Sequence, residues 1–405
     1  MKILLLAPWF PWPAFDGGRI RVLETIRYLA ERHEVSLVAP VARPEVAQQA
    51  QPLQALCERI EAPTATFPPL AMLAGWADGL PGWRPIAQCA VYDPKLARAV
   101  RRLTSRQRFD IVQVEFSFAA AYLRAIEPRS GARTVLTMHN IETARFEREL
   151  RFPQPWLRRI AMRSDRLLAP GWEKAAVGSF DGVAVVSEPD LAWVRRHVPA
   201  AVVELTPNGI DTARHAPLAF APPPTGPCAA FTGVMDYPPN VDAAVWFCEE
   251  ILATVRARLP EFVFKIVGRD PTPQVRALAR RPGVVVTGQV PDIVPQLADC
   301  LALLVPLRSG GGTRLKILQA MALGRPVVAT PMGAEGLEVI DGETILLAET
   351  AGQFADHLVA LASSSELRDR LARQGRALVE ARYDWRQCLA GLDRLYDRLL
   401  SGGAA

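Results

Sequence analysis

Short, unbroken apolar runs of strand length, each followed by a segment of helical period, recur along the whole chain, and this alternation leaves little choice of architecture. The first set comprises Lys2 to Ala7, Glu34 to Ala39, Phe109 to Val114, Arg133 to Met138 and Gly182 to Val186. A strand that is apolar on both faces is buried on both faces, as in a parallel sheet covered by helices. The segment Ala221-Pro222-Pro223-Pro224-Thr225-Gly226-Pro227 then makes a stiff connection. A second alternating set follows, with strands expected at Cys228 to Thr232, Phe262 to Val267, Val284 to Thr287, Leu301 to Val305, Val327 to Thr330 and Thr344 to Ala348, and helices such as Val241 to Ala257 between them. At 405 residues the chain is too long for one core. The expectation is an α/β protein of two doubly wound domains facing a central cleft. The first is placed at 1–217, the linker at 218–227 and the second domain at 228–383. A C-terminal helix at 384–405 is expected to pack back on the first domain.

The stretch from Val305 to Thr330 carries the strongest chemical signal. An apolar strand ends, Gly310, Gly311 and Gly312 follow, and a helix pattern begins with Leu315, Leu318 and Met321 on one face. Glycines at a strand-to-helix junction let backbone approach a ligand closely, and a helix start offers unpaired N–H groups and a positive dipole end. Thr313 is a candidate cap. Arg314 and Lys316 put positive charge where the dipole disfavours it unless an anion is present. The reading is a phosphate or diphosphate cradle; the plainer reading is a flexible turn with solvated basic residues. Lysine occurs only at positions 2, 95, 174, 265 and 316, which adds a little weight to finding one here.

Other candidates are weaker. Asp16-Gly17-Gly18 stands after the first strand and before a helix with Ile20, Leu23, Ile26, Leu29 and Ala30 on one face, at the carboxyl end of the sheet, where such sheets bind ligands. Glu115 and the run His139-Asn140-Ile141-Glu142 follow two further strands. His139 reads either as an acid, base or hydrogen-bond donor in a cleft or as a satisfied structural imidazole. Pro153 to Leu168, with Trp156, Leu157 and Ile160 beside Arg158, Arg159, Arg163 and Arg166, reads either as a segment resting on an anionic bilayer or as a solvated helix face. Val203 to Asp211 reads as a strand entering a tight Asn208-Gly209 turn. Residues 41–108 read as helical and proline-punctuated, and Ser365 to Leu400 as helical with a break near Tyr383-Asp384-Trp385.

The net charge of +5 suits anionic ligands or a membrane surface, while the lack of basic runs interleaved with aromatics argues against nucleic acid. Six scattered cysteines show no metal-ligand spacing and read as buried thiols of a reducing cytoplasm. The apolar start is broken by Pro8, Pro11 and Pro13, so no signal peptide is expected. No run reaches the roughly 18 apolar residues of a membrane span.

Seven pieces in order, Asp16-Gly17-Gly18, Thr137-Met138-His139-Asn140, Val186-Ser187-Glu188, Pro207-Asn208-Gly209-Ile210-Asp211, Phe231-Thr232-Gly233, Gly324 to Thr330 and Glu338 to Gly342, resemble the family 4 glycosyltransferases across nearly the whole chain. Phe231 to Asn240 and Gly310 to Lys316 are similar to a bacterial branch associated with exopolysaccharide sugar transfer. The resemblance implies a GT-B fold with two Rossmann-like domains. It also implies a retaining, hexosyltransferase-type enzyme that moves a sugar from a nucleoside diphosphate sugar to a lipid-linked or polysaccharide acceptor of the cell envelope. No metal and no cofactor are implied, and the sequence has no Asp-x-Asp. By position, Gly17 and Gly18 approach the donor phosphates, and Arg314, Lys316 and the amides of Gly311, Gly312 and Thr313 hold the diphosphate. His139 sits near the transferred sugar, Asn208 by the domain junction, and Glu338 borders sugar and phosphate. A cytoplasmic location, extending to peripheral contact at the inner face of the membrane, is implied.

Three departures stand out. The two glutamates that the family often carries eight positions apart are Gly311 and Gln319 here; a glutamine carbonyl still accepts a ribose hydroxyl, but a glycine replaces no side-chain contact. The common Arg and Lys after the second domain's first strand are replaced by Val234 to Asn240. A sugar nucleotide 2-epimerase of similar fold and a non-catalytic nucleotide-sugar binding protein are the competing functions.

Overall fold

A computed structural model describes residues 1–65, 91–150, 156–218, 226–309 and 314–402. The chain forms two compact units, Met1–Pro207 with Cys388–Ala405, and Asn208–Gln387. The crossing points are therefore Pro207/Asn208 and Gln387/Cys388, where the sequence reading places its boundaries at 217 and 384. Most of the 218–227 linker, residues 219–225, lies outside the described residues.

The first unit holds seven strands: β1 Lys2–Leu6, β2 Glu34–Val38, β3 Arg59–Glu61, β4 Ile111–Glu115, β5 Arg133–Met138, β6 Gly182–Val185 and β7 Val202–Leu205. They form one parallel sheet in the order β3-β2-β1-β4-β5-β6-β7. The order reverses between β1 and β4, which makes that pair the switch point. All five residues of β4 are buried, as a sheet covered on both faces requires. The edge strand β3 falls in the stretch that reads as helical; its Arg-Ile-Glu has no apolar run to announce it.

The helix Gly17–Ala30 buries Arg21, Val22, Leu23, Thr25, Ile26, Tyr28 and Leu29. Its inward stripe is thus rotated from the expected one: Ile20 and Ala30 are half-buried and three polar side chains point inward. The last helix, Trp385–Leu400, packs Leu389, Leu392, Leu395 and Tyr396, all 0% exposed, into this unit. Gly391 permits the contact, since a Cβ there would stand 2.3 Å from the Leu205 carbonyl oxygen. Gly391→Val is therefore expected to lower the unfolding free energy by about 2 kcal/mol, as overpacking against backbone does. Urea denaturation measures it, and an unchanged midpoint would contradict this packing.

The second unit holds β8 Cys228–Thr232, β9 Val263–Val267, β10 Val284–Gly288, β11 Ala302–Val305, β12 Val327–Ala329 and β13 Leu346–Leu347, all parallel, in the order β10-β9-β8-β11-β12-β13. Here the reversal lies between β8 and β11. The helix expected at Val241 to Ala257 runs from Pro238 to Arg258, with a π turn at Phe247–Ile251. Asn208-Gly209 is not a tight turn. Ile210 N–H donates to the Tyr383 carbonyl at 2.7 Å, and a Cβ on Gly209 would lie 2.8 Å from that oxygen. Glycine is needed there for close approach.

Candidate active site

In sheets of this kind ligands sit beyond the carboxyl ends of the strands at the switch point, and each unit gathers its chemistry there. In the second unit β8 ends at Thr232 and leads through Gly233 into the segment carrying Asn240, while β11 leads toward Arg314 and Lys316. Gly311, Gly312 and Thr313 lie outside the described residues. The helix Leu315–Ala322 starts one residue later than expected, and Arg314, at φ −82° and ψ 71°, takes the N-cap position in place of Thr313. The Arg314 guanidinium donates to the Met332 carbonyl at 3.2 Å.

Lys316 Nζ stands 3.2 Å from Asn240 Oδ1 and 4.4 Å from the centre of the Phe231 ring. Among the described residues no carboxylate pairs with it, whereas Lys265 is held by both oxygens of Asp299 at 2.7 Å. Burial, and then the neighbouring Arg314 charge, push the Lys316 ammonium down to about 7. A second basic side chain, Arg314, thus stands next to a lysine whose charge is disfavoured in the ligand-free protein, the kind of perturbed group that collects at functional sites. Backbone frames the spot: a Cβ on Gly268 would lie 1.7 Å from Gly233 O, so β8 and β9 leave their sheet in direct contact.

Gln319 Nε2 lies 3.4 Å from His215 Nε2, while His215 Nδ1 donates to Asp211 O at 2.8 Å. A neutral imidazole that donates at Nδ1 accepts at Nε2. The Gln319 amino group therefore donates to it and leaves Oε1 as the acceptor, the atom a ribose hydroxyl requires. Glu338 is exposed; its N–H donates to Tyr383 Oη at 2.7 Å and its carboxylate lies 4.0 Å from Arg382. That amide is therefore committed to Tyr383 within the fold. Asn208 is buried and is the first residue of this unit.

One group of three possible metal ligands, Cys228, Asp299 and Cys300, occurs among the described residues. It lies at the opposite, amino-terminal end of β8 and beside β11, and Lys265 already occupies the carboxylate. It has the wrong place and the wrong charge for the switch-point chemistry.

In the first unit the switch point is lined by Asp16, Phe116 and His139. Asp16 caps the helix, accepting from Arg19 N–H at 3.0 Å, and also pairs with the Arg19 guanidinium. A Cβ on Gly18 would stand 2.9 Å from Phe116 Cζ, so this glycine makes room for an aromatic ring. Gly17 is the first residue of the helix. Phe116 itself has φ +71°, a conformation that costs a bulky residue energy and collects at functional sites. Its ring stacks on His139, with centroids 3.6 Å apart at 15°.

His139 Nε2 lies 2.7 Å from Glu115 Oε2. Glu115 is fully buried, and burial alone would raise its carboxyl; hydrogen bonds from His139 and Gln113 and the nearby Arg21 charge outweigh that and hold it below the usual range. Burial pulls His139 below its usual value, with Glu115 pulling the other way. The pair is therefore a carboxylate and a neutral imidazole. Arg21, 1% exposed, donates to Thr206 Oγ1 at 2.8 Å and Pro207 O at 3.0 Å. The sequence marks Glu115, and marks Phe231 and Asn240 only as parts of the Phe231 to Asn240 resemblance with no site role of their own; Arg21 and Phe116 carry no signal there.

Two family descriptions match the chain: "Glycosyltransferase Family 4" over residues 15–214 and "Glycosyl transferases group 1" over residues 226–364. The phosphatidyl-myo-inositol mannosyltransferase of Mycobacterium leprae is 28% identical over 243 residues, 58% of this chain and 62% of that protein. Among solved structures, sucrose-phosphate synthase from Thermosynechococcus elongatus superposes with a TM-score of 0.73 at 19% identity, covering 100% of both chains. Anabaena HepE in complex with UDP and glucose gives 0.66 at 16% identity, covering 97% of this chain and 98% of that one. Two parallel sheets of doubly wound order, the paired family matches and these likenesses agree: the chain belongs to the family 4-like glycosyltransferases of GT-B fold.

Proposed function

We propose that this glycosyltransferase takes its sugar from a nucleoside diphosphate donor, binds the diphosphate at Arg314 and Lys316, and transfers with retention of anomeric configuration to a lipid-linked or polysaccharide acceptor. The observation that carries the reading is Lys316, a cation beside Arg314 with no carboxylate partner among the described residues. As the glycosidic bond breaks, negative charge grows on the departing diphosphate, and cations fixed there before reaction act where charge develops. Gln319 Oε1 serves the ribose and His139 the transferred sugar. HepE was solved with UDP, which favours uridine as the base. A thermal-shift series with uridine, guanosine and adenosine diphosphates tests this, since a ligand at 100 times its dissociation constant stabilises by about 2.7 kcal/mol. A product of inverted configuration would sink the retaining part. Epimerised free donor without any acceptor would point to an epimerase, and tight binding without turnover to a binding protein.

A bacterial envelope acceptor at the cytoplasmic face of the membrane fits one surface feature. On the helix Trp156–Gly178, Trp156, Ile160 and Leu167 are 70%, 58% and 81% exposed, with Arg163 and Arg166 exposed among them. Their spacing puts the three apolar side chains on one stripe, and apolar groups flanked by arginines suit an anionic lipid surface. The mannosyltransferase relative is named for a phosphoinositide lipid. No helix among the described residues is long and apolar enough to cross a membrane. Co-sedimentation with phosphatidylglycerol vesicles is expected, weakened at least tenfold in the double variant Trp156→Ser, Leu167→Ser and weakened by salt. Equal recovery with neutral vesicles would contradict it.

A further inference from the structure

A buried polar chain runs behind His139 and ends on the last helix. Tyr396 Oη donates to Gln113 Oε1. Gln113 Nε2 donates to Glu115 Oε1 at 2.6 Å and lies 3.0 Å from Thr137 Oγ1, which donates to the same carboxylate oxygen at 3.2 Å. The other oxygen, Oε2, faces His139 Nε2. The sheet builds this arrangement directly: Glu115 pairs with Thr137 in the β4–β5 register, and His139 follows two residues later on the same side. Glu115 side-chain exposure is 0% and that of His139 is 7%.

A carboxylate only accepts, so the shared proton belongs to His139 Nε2 and the imidazole presents Nδ1 as a lone pair. Among the described residues Nδ1 has no hydrogen-bond partner. Phe116 fixes the plane of the ring by stacking on it. Resting on the reading that His139 serves the transferred sugar, we propose that Glu115 is a positioning residue for the reaction. It locks His139 as the Nε2–H tautomer, and so makes Nδ1 an acceptor for a hydroxyl of the sugar. The substrate group recognised is then an O–H donor; a phosphate oxygen, which can only accept at neutral pH, is turned away from this nitrogen.

Glu115→Gln gives the decisive contrast. Gln113 and Thr137 both donate to the Oε1 side, so the new amide keeps its carbonyl there and turns its NH₂ toward His139. The imidazole must then accept at Nε2 and carry its proton on Nδ1. In full-length protein labelled with ¹⁵N-histidine, long-range proton–nitrogen spectra at pH 7.5 are expected to show His139 protonated at Nε2 in the wild type and at Nδ1 in Glu115→Gln. In transfer assays kcat for Glu115→Gln is expected to fall about 100-fold, the low end of what a correctly placed proton contributes, with KM for the donor changed less than about threefold. Tyr396→Phe leaves the carboxylate in place and is expected to keep the wild-type tautomer and lose less than about fivefold in kcat. A wild-type spectrum with the proton on Nδ1 overturns the inference even if Glu115→Gln does not fold. So does a folded Glu115→Gln that turns over at the wild-type rate. Failure of the underlying functional reading would look different: a wild-type protein with the expected tautomer that transfers sugar from no nucleotide donor.

Discussion

Lys316→Met is expected to abolish the thermal stabilisation expected of a nucleoside diphosphate in the wild type and to lower kcat for sugar transfer by about 100- to 1,000-fold, the loss that follows removal of one preorganised charge-stabilising donor. The same substitution is expected to leave the ligand-free protein at least as stable as before. The two effects have one cause. Lys316 Nζ is held over the Phe231 ring, with Asn240 Oδ1 as its one polar partner among the described residues, and burial together with Arg314 disfavours its charge. Without ligand the ammonium is a liability, and an unbranched thioether fills the same channel without the desolvation penalty. On the proposed function, a bound diphosphate makes the same ammonium a partner for the leaving group. Arg314→Ala is expected to lose the ligand shift as well. A shift that survives both substitutions would place the nucleotide elsewhere.

The sheet was legible in the sequence because its strands are continuous apolar runs. Lys2–Leu6, Arg133–Met138 and Cys228–Thr232 appear within a residue of where the pattern puts them. Strand β3 was not legible because its three residues, an isoleucine between two charged residues, make no apolar run. The two cations at the second switch point were legible because glycines, a helix start and basic residues coincide within a few positions. Their setting was not. Phe231 and Asn240 stand in the sequence as the two ends of a stretch that resembles one branch of the family, with nothing to tie either to Lys316; the closeness of β8 to the segment after β11 brings both onto it. Likewise Arg21 looks like a surface residue of an amphipathic helix, and its burial depends on Thr206 and Pro207, far along the chain. Periodicity reports which face a residue occupies, and distant partners decide whether a charge can occupy the buried one.

Binding of a nucleoside diphosphate is expected to weaken about tenfold per pH unit above 7, while the ligand-free protein grows more stable over the same interval. With its folded-state value near 7, Lys316 is largely neutral at pH 8. The bound diphosphate favours the ammonium, so binding takes up close to one proton there, and each further pH unit costs about 1.4 kcal/mol of affinity. At pH 5.5 the amine is charged with or without ligand, and proton uptake by this group vanishes. For folding the sign is opposite. Between the folded value of about 7 and the ordinary value of 10.5 the unfolded chain binds the extra proton, so stability rises with pH. Cys57 and Cys248, each pushed up to about 12 by burial, act in the other direction above pH 9, which confines the useful window to about 7 to 8.5. Titration calorimetry in buffers of different ionisation enthalpy measures the uptake, and urea unfolding at the same pH values measures the stability. Lys316→Met should flatten the stability trend and remove the uptake. Pyrophosphate, if it binds in the wild type without proton uptake at pH 8, would show that the amine at this switch point is not the group that meets the phosphates.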